Sequence, residues 1–129
     1  RQQHMNAQAE TRVAFRPRRD GEEAGLAVFQ NEEHYYALAI AGDEKGRRVE
    51  LRRRDGAAMA ETIATAPIGK RGDVRLRAVV RGGTCAFFVS EREGEWRAIG
   101  KAQDARILST RTAGGFVGAV FGLFAQRTR

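Results

Sequence analysis

With 129 residues the chain is long enough for one domain that buries about two-thirds of the surface its unfolded form exposes, so it needs no disulfide framework. Its 23 basic and 16 acidic residues give a formal charge of +7, yet the arginines alternate with apolar residues, and no RNP motif, zinc finger or helix-turn-helix pattern goes with them; nucleic acid is not the expected partner. The lone Cys85, inside the apolar run TCAFFV, reads as a small buried hydrophobe and favours a cytoplasmic setting, while His4 and His34 have no Cys or second His at ligand spacing, so no metal or cofactor is expected and only a structural calcium is left open.

The spacing predicts strands almost throughout. AQAETRVAF puts Ala7, Ala9, Thr11, Val13 and Phe15 on one face and Gln8, Glu10, Arg12 and Ala14 on the other. After the turn RPRRDGEE, with its favoured Asp20-Gly21 pair, AGLAVFQ, the short loop NEEH and YYALAIA read as a hairpin. The turn GDEKG leads into RRVELRRR, which Asp55-Gly56 ends. AAMAETIATA has helical alanines, but it is short, lies between strands and stops at Pro67, so it is read as a strand. VRLRAVV, TCAFFVSE and WRAIG follow, separated by the turns RGG and REGE. Turns at intervals of ~8 to 12 residues predict a single all-β domain over residues 1–129, a sandwich or a barrel. DARILSTRTAGG is a longer polar connection with room for one helical turn.

The last apolar run, GGFVGAVFGLFAQ, lies between Arg111 and Arg127. It falls short of the ~20 apolar residues of a membrane span, and no signal peptide or second apolar segment is expected to help it, so no membrane partner is expected. A buried strand accounts for it better, with Val120 and Leu123 in the core and glycines where backbones approach closely.

Catalytic chemistry is hard to find. The acids sit in DGEE, NEEH, GDEKG and REGE, turn contexts in which carboxylates are solvated, and no G-x-S-x-G elbow, P-loop or dinucleotide fingerprint exists. No catalytic residue is expected. Tyr35, Tyr36 and Trp96 are candidates for stacking on sugar rings as well as for filling the core; Tyr35 and Tyr36, being adjacent, must point to opposite faces. The clusters Arg16–Arg19 and Arg52–Arg54 read as solvated faces, with polyanion binding as a weaker alternative.

Taken in order, RQQH, AETRVAFRP, AGLAVFQNEEHYYALAI, VRLRAVVRG with EREGEWRAIG, and ILST followed by GGFVGAVFGLFAQ resemble the C-terminal domain of glycoside hydrolase family 43 β-xylosidases and α-L-arabinofuranosidases. The resemblance spans nearly the whole chain and implies a concanavalin A-like jelly roll of two antiparallel sheets. It further implies that the chain is a fragment of a larger glycoside hydrolase, without the N-terminal five-bladed β-propeller that carries the catalytic carboxylates. The partner it implies is that propeller, with a xylo- or arabino-oligosaccharide as substrate.

In the family a loop of the sandwich with a pattern close to G-G-F-T-G-A-F-V-G-L reaches the substrate pocket, and its first Phe helps wall the pocket off. By position that residue is Phe116, followed by Val117 where Thr is frequent, then Gly118 and Ala119; Val120 and Phe121 stand in swapped order. Relatives also begin their sandwich upstream of RQQH and continue into a further strand. The functional expectation is therefore a non-catalytic accessory domain that buttresses the propeller and helps close its pocket through Phe116. The alternative is an independent glycan-binding module that uses Tyr35, Tyr36 or Trp96.

Overall fold

The computed structural model describes residues 6–14, 22–31, 33–43, 46–56, 58–69, 72–108 and 120–127. Phe116, the arginines at 16–19, the turn at Asp20-Gly21 and His4 lie outside them. Among the described residues ten strands form two sheets, and every pairing is antiparallel. In the first sheet β1 (Asn6–Val13) pairs β6 (Val74–Arg81), which pairs β7 (Thr84–Arg92); β8 (Glu95–Ala98) and the short β9 (Gln103–Asp104) both add to β7. The second sheet runs β10 (Val120–Arg127), β2 (Glu22–Asn31), β3 (His34–Asp43), β4 (Gly46–Asp55), β5 (Glu61–Ile68). This is the all-β antiparallel sandwich anticipated above, and the neighbours follow from hairpins between consecutive strands, apart from β1, β9 and β10.

Period-two patterning decides which side chains meet. Val74, Leu76, Ala78 and Val80 of β6 turn inward while Arg75, Arg77 and Val79 turn outward. In β1 the expected alternation holds from Asn6 to Val13, with Ala9 and Val13 packed on the core. The inner faces interleave Leu26, Val28, Leu38, Ile40, Val49 and Leu51 with Leu76, Val80, Phe87 and Val89, all sealed from solvent. Each such side chain contributes about 1.5–3 kcal/mol of transfer free energy. A 3-10 turn (Ala105–Leu108), the helical turn expected in the long connection, plugs one end of the sandwich with the buried Ala105 and Leu108.

Two expectations need correction. The segment after Asp55 is a strand only from Glu61, and it passes through Pro67 to Ile68 instead of ending there. β5 is an edge strand, so a residue without an N–H can face the unpaired side. Leu123 is not a core residue: it is 70 % exposed. Its register partner Leu26 points inward, but β10 lies at the edge of its sheet, past the cover of β1, which is the last strand of the sheet opposite. Phe121 does pack against the core.

Candidate functional site

The end of the second sheet where β2 turns into β3 gathers unusual surface. Phe29 stands opposite Tyr35, and Tyr35 opposite Arg54. Val120, the first residue of β10, pairs with Phe29. The row therefore crosses four strands at the point where the glycine-rich segment enters the sheet. Gly56 N–H donates to the Glu33 carbonyl at 2.8 Å, and Arg54 Nε donates to the Gly56 carbonyl at 3.1 Å, so the chain leaving β4 is tied to the hairpin tip. His34 lies 3.8 Å from Asp55 across the same end. Phe29 is 37 % exposed, and Met59, in the connection after β4, is 90 % exposed. Gly122 leaves room for the Phe29 ring beside β10: a Cβ there would come within 3.1 Å of the ring. Exposed large apolar side chains at one end of a domain mark a surface suited to contact.

Behind this row the outer face of the sheet is a floor of small residues. Ala37, Ala39 and Ala41 are buried although they point away from the core, because long side chains lie across them. Arg52 stands opposite Ala37 and reaches over β3 to Glu23, at 2.6 Å from Nη1 and 2.5 Å from Nη2, while its Nη2 also holds Glu50 at 2.8 Å. Arg48 binds the other oxygen of Glu50. Burial alone would raise the Glu50 pKa, but the guanidiniums of Arg52 and Arg48 outweigh it and hold the carboxyl below its usual range. The Arg52 guanidinium is pushed upward by its hydrogen bonds to Glu23.

Glu23 and Glu50 thus converge on one point, yet both are buried at 2 % and 7 % exposure, both are paired to Arg52, and Glu50 is held below its usual carboxyl range. A general acid must carry a proton near working pH, and a carboxyl with a lowered pKa does not. The pair is an ion-pair network. Sequence reading missed it because the partners meet only through register across three strands. It also removes Arg52 from the exposed basic cluster expected at Arg52–Arg54, and Arg53 pairs with Glu61.

The other candidate rings are separated. Tyr36 points inward with no exposure, its ring 5.5 Å from that of Phe87 and its hydroxyl donating to the Asp104 carbonyl at 2.6 Å. Burial pushes its pKa up to about 12. No sugar reaches that ring, so Tyr36 is a core residue and not a stacking platform. Tyr35 takes the outer face, as the alternation requires. Trp96 sits on the outer face of the opposite sheet with the Arg77 guanidinium 4.0 Å above its ring, and Arg77 is itself paired to Glu10 at 2.6 Å. Tyr35 and Trp96 cannot form one platform. Among the described residues no group of three or more His, Cys, Asp or Glu could hold a metal ion, and no helix is long and apolar enough to cross a membrane.

The fold is shared with known proteins. Xylosidase/arabinosidase 43B of Humicola insolens is 29 % identical over 98 % of this chain and 26 % of its own length. A β-xylosidase of Bacillus subtilis is 31 % identical over 99 % of the chain and 25 % of its own length. Among solved structures, a GH43_12 protein retrieved from capybara gut metagenome superposes with a TM-score of 0.82 at 31 % identity, covering 98 % of this chain and 24 % of that one. The chain spans about a quarter of the length of the curated relatives it matches. A family model described as the beta xylosidase C-terminal concanavalin A-like domain matches residues 1–129. With its two-sheet sandwich, its ordered motifs and a family match from end to end, the chain belongs to the C-terminal concanavalin A-like domain family of glycoside hydrolase family 43 β-xylosidases.

Proposed function

We propose that the chain is the non-catalytic accessory domain of a β-xylosidase or α-L-arabinofuranosidase, that it buttresses a catalytic propeller in the same polypeptide, and that Phe116 helps close the substrate pocket. The observation that carries this reading is where β10 begins: Val120 is registered beside Phe29, at the end of the sheet where Phe29 and Met59 are exposed. Phe116 precedes Val120 by four residues, which limits its reach to ~14 Å from the Val120 Cα. A ring within that distance of an apolar contact surface is suited to wall a pocket on a domain docked there. Walling excludes water and orients a pyranose without any proton transfer from this chain. The quarter-length match to xylosidases and arabinosidases supports a partner in the remaining three quarters of such a polypeptide.

The alternative, a free-standing glycan module, draws less support, because Tyr36 is sealed and Tyr35 and Trp96 face opposite ways. The isolated chain is expected to give no turnover of aryl β-xylosides and no calorimetric heat with xylo-oligosaccharides. Turnover above the uncatalysed rate would refute the accessory role; saturable heat abolished by Tyr35→Ala would install the lectin-like one.

A further inference from the structure

On the outer face of the first sheet, Arg12, Arg75 and Ser90 stand side by side on β1, β6 and β7. Together with Arg92 they line an open cleft of about 150 Å³, on the scale of a single pyranose ring. Its base is fixed. Ser90 is 2 % exposed, and its hydroxyl donates to the Arg92 carbonyl at 2.5 Å, clamping the irregularity in β7 between Val89 and Arg92.

The cleft's three arginines stand against three acids, Asp73, Glu91 and Glu93, but the pairing among them is uneven. Arg12 is engaged by Asp73 at 3.4 Å. Glu91 is engaged by Arg97 at 2.9 Å and by the Gly69 N–H at 2.6 Å, so neither acid is available to the remaining arginines. The side chains of Arg75 and Arg92 make no hydrogen bond or ion pair with any described group, whereas Arg47, Arg48, Arg52, Arg53, Arg77 and Arg97 all do. Glu93, at the rim in the turn before Gly94, leaves the unengaged set at two cations to one anion.

A guanidinium presents a planar fork of N–H donors that matches a carboxylate, and two forks at a pyranose-sized cleft select a carboxylate carried on a ring. We infer that the cleft bounded by Arg75 and Arg92 binds an acidic sugar, a uronic acid unit, with its carboxylate between the two guanidiniums and its ring over Ser90. The site is independent of the pocket-closing role. Along β7 it lies seven residues from Cys85, which is paired to Gln103 near the opposite end, roughly 20 Å away, so docking at the Phe29 end leaves it open.

The test is an NMR titration of the chain with sodium glucuronate, xylose, acetate and inorganic phosphate as separate probes at low salt. Glucuronate is expected to shift the amides of Arg75 and Ser90–Arg92 saturably. Arg75→Gln and Arg92→Gln should each weaken it roughly tenfold or more, since each removes a charged hydrogen-bonding partner. Xylose should shift nothing there. Both arginines are on the surface, so the variants keep the wild-type amide spectrum elsewhere and report on binding alone. Absence of saturable shifts at these amides, or wild-type affinity in both variants, overturns the site. Acetate or phosphate binding as tightly as glucuronate overturns the sugar assignment, because the ring would then contribute nothing.

Discussion

Cys85 and Tyr36 share one end of the core, and burial pushes both pKa values up to about 12. Each group therefore holds its proton in the folded state at a pH where the unfolded chain has lost it. Stability is full below the ordinary thiol and phenol values, ~8.5 and ~10, and falls as pH rises from there toward about 12. Urea midpoints measured from pH 7 upward should decline in this window, and Cys85→Ala should flatten the decline; equal slopes would contradict burial of the thiol. Arg52 makes a different forecast. Arg52→Met takes the guanidinium from the buried Glu23 and leaves Glu50 with Arg48 alone, so it should cost about 3 kcal/mol or more, while Glu10→Gln, at a partly exposed pair with Arg77, should cost ~1 kcal/mol or less. Chemical denaturation of the two variants checks the contrast.

Gly25 and Gly122, on neighbouring strands, have unequal tolerance for a side chain. At Gly25 a Cβ would sit 1.9 Å from the Leu38 carbonyl oxygen, fixed backbone of the neighbouring strand, whereas at Gly122 it would meet only the Phe29 ring at 3.1 Å. Gly25→Ala should therefore lower the melting temperature far more than Gly122→Ala, and comparable losses would contradict the β2–β3 pairing. Most of the elements were legible in the sequence because apolar and polar residues alternate along them and glycine turns separate them. Pro67 and Leu123 were misread for one shared reason. Whether a strand lies at an edge depends on sheet order, which local patterning does not encode. The same limit hid the Glu23–Arg52–Glu50 network, whose members lie 29 residues apart and meet over alanines. The alternation at Tyr35 and Tyr36 was readable, but only the register shows which ring faces the core.

For the molecule as a whole, two ends of one sandwich carry different surfaces. The hairpin end offers apolar side chains beside the start of β10, and the far end of the first sheet offers two guanidiniums with no partner among the described residues. A rigid double sheet with hydrophobic layers between its faces keeps these surfaces apart and in fixed orientation, which suits a part that shapes another domain's pocket. The proposed role requires that activity reside elsewhere and depend on this chain through one ring. The most direct measurement is kcat/KM on an aryl β-xyloside for the full-length enzyme and its Phe116→Ala variant, with melting curves as control. A loss of about tenfold or more at unchanged melting temperature is the predicted result. Unchanged kcat/KM in the variant would contradict it.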